Sequence, residues 1–141
     1  MKIFKHLMVF PATLTMLLTS VTAVRSQPIQ LAPGFVPDPL VVTGTSGGSQ
    51  AAQGCGKVGA TPNHVFNLSD NFNYLRFSVQ SAGQPTLLIQ GPNGSSCVQA
   101  DSFSKGTIQL PGYWEKGSYS VYVGDRAEGQ NAYTLSLTQK R

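Results

Sequence analysis

The chain has 141 residues, of which 11% are charged and 9% aromatic, and ten Lys and Arg stand against six Asp and Glu for a formal charge of +4. That length fits one domain. The basic excess does not make a nucleic-acid footprint, because Lys57, Arg76, Lys105, Lys116 and Arg126 stand singly and only Lys140 and Arg141 are adjacent.

Residues 1–26 read as an export signal. Lys2 and Lys5 form a positive start, Leu7 to Val24 carries no charge, and small residues close the segment. Cleavage after Ala23 or after Ser26 suits a signal peptidase. A retained membrane anchor is the competing reading, but Pro11 and four threonines make a poor span. Removal of Lys2, Lys5 and Arg25 leaves seven Lys and Arg against six Asp and Glu, so the basic character belongs largely to the leader. The expectation is a secreted or periplasmic protein without stable membrane insertion once the signal is cut.

Residues 27–53 read as an arm or linker. Pro28, Pro33, Pro37 and Pro39 favour extended, irregular backbone, and Gly44 to Gly56 is loop-like. Leu40-Val41-Val42 has the composition to begin a strand. Residues 54–141 read as the folded domain. Its expected strands are His64–Leu68, Asn73–Gln80, Pro85–Gln90, Cys97–Ala100, Thr107–Leu110, Ser118–Val123 and Ala132–Thr138. In three of them apolar residues alternate with polar ones: Leu75, Phe77 and Val79; Tyr119, Val121 and Val123; Tyr133, Leu135 and Leu137. One face should meet a core and the other water. The last two runs read as closing strands of an antiparallel sheet. Thr86-Leu87-Leu88-Ile89 is continuously apolar, as for a strand covered on both faces, and Gly91-Pro92-Asn93-Gly94 is a turn. No helical periodicity follows the leader. The predicted fold is all-β: a small, jelly-roll-like antiparallel β-sandwich of about seven or eight short strands.

Cys55 and Cys97 are the only cysteines, and an even count in an exported chain reads as one disulfide. A metal site would need more ligands than these and His64 supply.

Three segments together resemble the bacterial pre-peptidase C-terminal domain, a small secreted β-sandwich appended to many extracellular proteases. They are Tyr74-Leu75-Arg76-Phe77-Ser78-Val79, Leu87 through Gly94, and Gly117 through Val123 with Tyr133-Thr134-Leu135. The resemblance implies the fold and a secreted accessory role. Calcium-binding members carry acidic residues before the turn, whereas Ala82-Gly83-Gln84-Pro85-Thr86 has none, so no calcium site is carried over.

Candidate chemistry is thin. Gly44-Thr45-Ser46-Gly47-Gly48 matches G-x-S-x-G, yet no acid lies between Ser46 and His64, and only His6 precedes the serine. A glycine-rich loop accounts for the motif. Asp70, Asp101, Glu115, Asp125 and Glu128 fall mostly in polar turns, where solvated acids are common. Tyr74, Tyr113, Trp114 and Tyr122 form the candidate binding surface, with Tyr113 and Trp114 placed in a loop and the other two on polar strand faces. Trp114 as a core plug is an equally open reading. The sequence therefore predicts a secreted, non-catalytic binding or structural module with no cofactor and no metal, contacting extracellular polysaccharide or an envelope protein. The alternatives are an accessory domain of a secreted protease system, a small secreted hydrolase, or a matrix component.

Overall fold

Residues 27–141 are described by a computed structural model, and their eleven strands form two packed sheets. In chain order the strands are β1 (Ile29–Leu31), β2 (Leu40–Thr45), β3 (Gln50–Ala51), β4 (Lys57–Val58), β5 (His64–Leu68), β6 (Phe72–Ser81), β7 (Pro85–Gly91), β8 (Gly94–Gln99), β9 (Thr107–Trp114), β10 (Gly117–Asp125) and β11 (Ala132–Thr138). The expected leader lies outside the described residues.

Sheet A runs β1, β5, β10, with β7 and β8 continuing from the other edge of β10 and the short β4 and β3 attached at its end. Sheet B runs β2-β11-β6-β9. All pairings are antiparallel except β1 with β5. Between the sheets lies one apolar layer containing Phe66, Leu75, Phe77, Val79, Leu87, Val121, Val123, Leu135 and Leu137, all fully buried. These are the inward members of the alternating runs, so the period-two pattern accounts directly for the two inner faces. The fold is the expected all-β sandwich of two mainly antiparallel sheets; the count rises from the expected seven or eight strands to eleven because β1 to β4 come from residues before His64.

Three expectations need correction. Residues 27–53 are not only an arm: β1 pairs with β5 and β2 pairs with β11 along six residues, so the sandwich begins near Ile29. The prolines flank these strands instead of interrupting them, which is where proline's missing donor is harmless. Second, β10 and β11 are not partners in one sheet. β10 pairs with β5 and β7, β11 with β2 and β6, and the loop between them crosses from sheet A to sheet B. Alternation reports which face is buried but not which sheet receives it. Third, β9 continues through Pro111 and Gly112 to Trp114, so Tyr113 and Trp114 sit on an edge strand and not in a loop.

Cys55 and Cys97 are joined, with 5.9 Å between their Cα atoms. The bridge ties the loop between β3 and β4 to edge strand β8. Thr86 adds to that attachment by donating its hydroxyl to the Cys55 carbonyl at 2.6 Å, which explains how a threonine is buried within the apolar run of β7.

Candidate functional site

The seam between β8 and β9 is where the sandwich stays open. Register places Val98 beside Leu87, Ser96 beside Ile89 and Gly94 beside Gly91, so these three residues of β8 face inward. Two of them are too small to reach the opposite sheet. On β9 the inward positions are Ile108, Leu110, Gly112 and Trp114, paired with Val79, Phe77, Leu75 and Phe72. Small residues facing each other across the seam leave a cleft of about 300 Å³. Its inner wall is Ile89, Leu110, Trp114 and Tyr119, and Tyr113, Asn93 and Glu115 also line it.

The aromatic wall is fixed from behind. The Trp114 ring packs on Phe77 at 4.7 Å between centroids and edge-on to Tyr119 at 5.4 Å. Its indole N–H donates to the Leu75 carbonyl at 2.9 Å. Trp114 thus takes both parts open to it in the sequence: one side completes the core and another lines the cleft. Tyr119 donates its hydroxyl to the Glu115 carbonyl at 2.6 Å. Burial, with the nearby Glu115 charge, pushes its phenol above the ordinary range, against that hydrogen bond. The Tyr119 ring lies so close to Gly91 that a Cβ there would meet it, which fixes glycine at that position. At the mouth, the Asn93 side-chain N–H donates to Glu115 at 2.9 Å, and Tyr113 is 56% exposed.

The four expected aromatics do not form one patch. Tyr113 and Trp114 line the cleft. A bulge in β6 sets Asn73 and Tyr74 opposite Tyr113, on the outward side of sheet B, where the Arg141 guanidinium lies 4.8 Å from the centre of the Tyr74 ring. Tyr122 pairs with Leu88 on the outward face of sheet A, across the sandwich. From the sequence Glu115 reads only as one of the acids of polar turns, and neither Tyr119 nor Asn93 is assigned to a site. Tyr119 reads simply as an inward residue of a core strand, and only the Pro-Asn-Gly turn hints that Asn93 is displayed.

Groups with hydrolytic potential lie elsewhere and are already engaged. Ser46 is buried; its hydroxyl donates to Asp125 at 3.4 Å and accepts from the Asn131 amide at 3.2 Å. Asp125, 1% exposed, also accepts from the Gln84 and Ala127 amides and the Asn131 side chain, so this carboxylate joins three loops. His64 Nε2 lies 2.7 Å from the Tyr133 hydroxyl. Burial holds the imidazole below its usual range, and burial pushes the Tyr133 phenol up to about 12, against a bond from Asn63. Gly44 leaves the space that this hydroxyl occupies. Among the described residues no group of three His, Cys, Asp or Glu is arranged to hold a metal, and no helix is long and apolar enough to cross a membrane.

No family model matches the sequence. The chain is 40% identical over 105 residues to an uncharacterized protein of Synechococcus elongatus, an alignment covering 70% of this chain and 75% of the other. In three dimensions it resembles the pre-peptidase C-terminal domain of a collagenase from Bacillus anthracis, with a TM-score of 0.52 and 16% identity over 83% of this chain and 100% of that domain. The shared feature is the sandwich itself. A periplasmic inhibitor of g-type lysozyme from Aeromonas hydrophila aligns with a TM-score of 0.37 and 12% identity over 81% of this chain and 98% of the inhibitor.

Proposed function

This chain and the Synechococcus elongatus protein belong to one family, and from that premise we propose that this chain is an extracytoplasmic, non-catalytic module that binds polysaccharide in the cleft between β8 and β9. The observation that carries the reading is the composition of that cleft. Trp114, Tyr119 and Tyr113 give its lining an aromatic part, and Asn93, Glu115, Ser95 and Ser96 give it a polar part. A sugar ring has the same division between apolar C–H faces and a hydroxyl edge, so stacking and hydrogen bonding act together. Both strands that form the site are held by the sandwich, which lowers the ordering cost of binding.

Three features support the non-catalytic part. The cleft has a single carboxylate, whereas glycosidic cleavage commonly uses two. Ser46 and Asp125 form a loop-joining network without an imidazole. His64 is engaged by a phenol. The export pattern in the leader and the disulfide support the compartment.

The test is retention on insoluble cell-wall polysaccharide. Wild type should be retained, Tyr113→Ala should be retained about tenfold more weakly, and ligand addition should shift Trp114 emission. Retention unchanged in Tyr113→Ala and in a cleft-filling Ser96→Leu would refute the site. Release of reducing sugar by wild type, abolished by Glu115→Gln, would refute the non-catalytic reading.

A further inference from the structure

We infer that the outward face of sheet B is a second binding surface, for an anionic polysaccharide, with Arg76 as its anchor. The four strands of this sheet contain one charged side chain, Arg76, and no Asp or Glu at all. Arg76 alternates with buried Leu75 and Phe77 and stands in register beside Thr138 and Pro111, so it belongs to the outward face. Its Nε is sealed from water and has no hydrogen-bond partner among the described residues. The single ion pair found among those residues joins Lys57 to Glu128. With Nε–H sealed, the terminal Nη donors are the ones left for carboxylate or sulfate oxygens, and no carboxylate of the described residues lies within ion-pair distance of them.

The surrounding charge points the same way. Arg141 lies over Tyr74, which precedes Arg76 by two positions on the same face, roughly 7 Å along the strand. Two guanidiniums on one patch, with no acid in the sheet beneath them, attract an anion. At the opposite end of the face Lys105 lines a shallow groove with Gln80 and Thr134. Gln80 and Tyr74 are about 20 Å apart along β6, a span that suits a polymer better than a single small anion. Of the acids near this face, Asp38 accepts from Gln139 and from Thr138, the register neighbour of Arg76, so one carboxylate stands near the anchor and Arg141 and Lys105 supply the excess positive charge; Asp101 accepts from the amides of Phe103 and Ser104.

Between the cations the face presents hydroxyls and amides. In one cross-strand row Thr43, Thr134, Gln80 and Thr107 stand side by side. Such a row matches the hydroxyls of a sugar chain. It is a poorer match for nucleic acid, because Arg141 covers the Tyr74 ring and the row between the cations contains no aromatic side chain. The surface is distinct from the cleft, whose mouth carries Glu115 and would repel an anion.

The experiment measures binding of the purified protein to alginate and dextran sulfate, with uncharged dextran as control. Wild type should bind the anionic polymers, bind dextran far more weakly, and lose affinity as salt rises. Arg76→Gln should weaken alginate binding about tenfold, while Ser96→Leu in the cleft leaves it unchanged. Thermal melting verifies the fold; should Arg76→Gln not fold, the exposed pair Lys105→Gln and Arg141→Gln makes the same test. The inference is overturned if neither anionic polymer binds, if dextran binds equally well, if these variants bind as wild type, or if poly(dT) binds more tightly than alginate. Because Ser96→Leu reports on the cleft alone, failure of one site is distinguishable from failure of the other.

Discussion

Removal of the disulfide should cost about 4 kcal/mol, and the structure states where that loss must appear. Cys55 and Cys97 are separated by 42 residues. On the chain-entropy argument, a loop of that length removes about 13 cal/mol/K from the unfolded ensemble, or about 4 kcal/mol at 25 °C. For a folded unit of about 115 residues this corresponds to a fall in Tm of about 15 °C. The neighbouring attachments do not use the sulfur atoms: Thr86 donates to the Cys55 carbonyl, the Cys55 amide to Ala52, and Gln99 to the Gly54 carbonyl. The folded geometry should therefore change little, and the effect belongs to the unfolded chain. Urea unfolding of wild type, reduced wild type and a Cys55→Ala/Cys97→Ala double variant measures it. The reduced protein should show a lower midpoint and an equal or steeper slope, since its unfolded state exposes more surface. A loss below about 1 kcal/mol, against the 2–5 typical of native bridges, would refute the reasoning. Unfolding of β8 alone would refute it differently, by showing that the bridge acts on the native edge strand.

Asp125→Ala should destabilise by about 3 kcal/mol in the same assay, because buried donors from Asn131, Ala127 and Gln84 lose their acceptor. Ser46→Ala, which removes one weak donor and leaves the carboxylate its other partners, should cost about 1 kcal/mol. In an alkaline absorbance titration one tyrosine should ionise near pH 12, and Tyr133→Phe should remove that component; the elevated phenol contributes stability below pH 10 that is lost as pH rises through about 12. His64 acts at the other end of the scale: its depressed imidazole contributes stability above pH 6.5 that is lost as pH falls through the folded value, so His64→Gln should flatten the acid limb of a stability profile. Ser96→Leu, on an exposed edge strand, should fold normally yet abolish the Trp114 emission change on ligand addition.

The inner faces were legible because alternation is a local property. Leu75-Phe77-Val79 and Leu135-Leu137 are recorded in the chain as plainly as in the structure. Pairing was not, because it is a relation between distant segments: nothing in Ile29-Gln30-Leu31 names Phe66 to Leu68 as a parallel partner. The cysteines were legible because chemistry and compartment leave few alternatives. The cleft was only half legible. Tyr113 and Trp114 drew attention as aromatics, but a cleft is made by what is missing, and the small inward residues Gly94 and Ser96 read as ordinary turn and strand composition. The separation of Tyr122 from Tyr74 followed from sheet membership, which no periodicity encodes.

The open seam also bears on why the sandwich does not close into a barrel and on how its edges are protected. β8 and β9 are both edge strands, and an exposed edge invites pairing. Pro111 removes a backbone donor from β9, and the bulge between Phe72 and Leu75 disturbs the ladder on which the last part of β9 rests. β8 is short, polar and tied at Cys97 to the loop containing Gly54, whose carbonyl also receives the Gln99 side chain. Each device discourages strand addition at the seam, and together with the small inward residues each keeps the aromatic wall accessible. Protection of the edge and access to the cleft are then one property of the same few residues. A sequence change that improved pairing across the seam would remove the site while leaving the core intact.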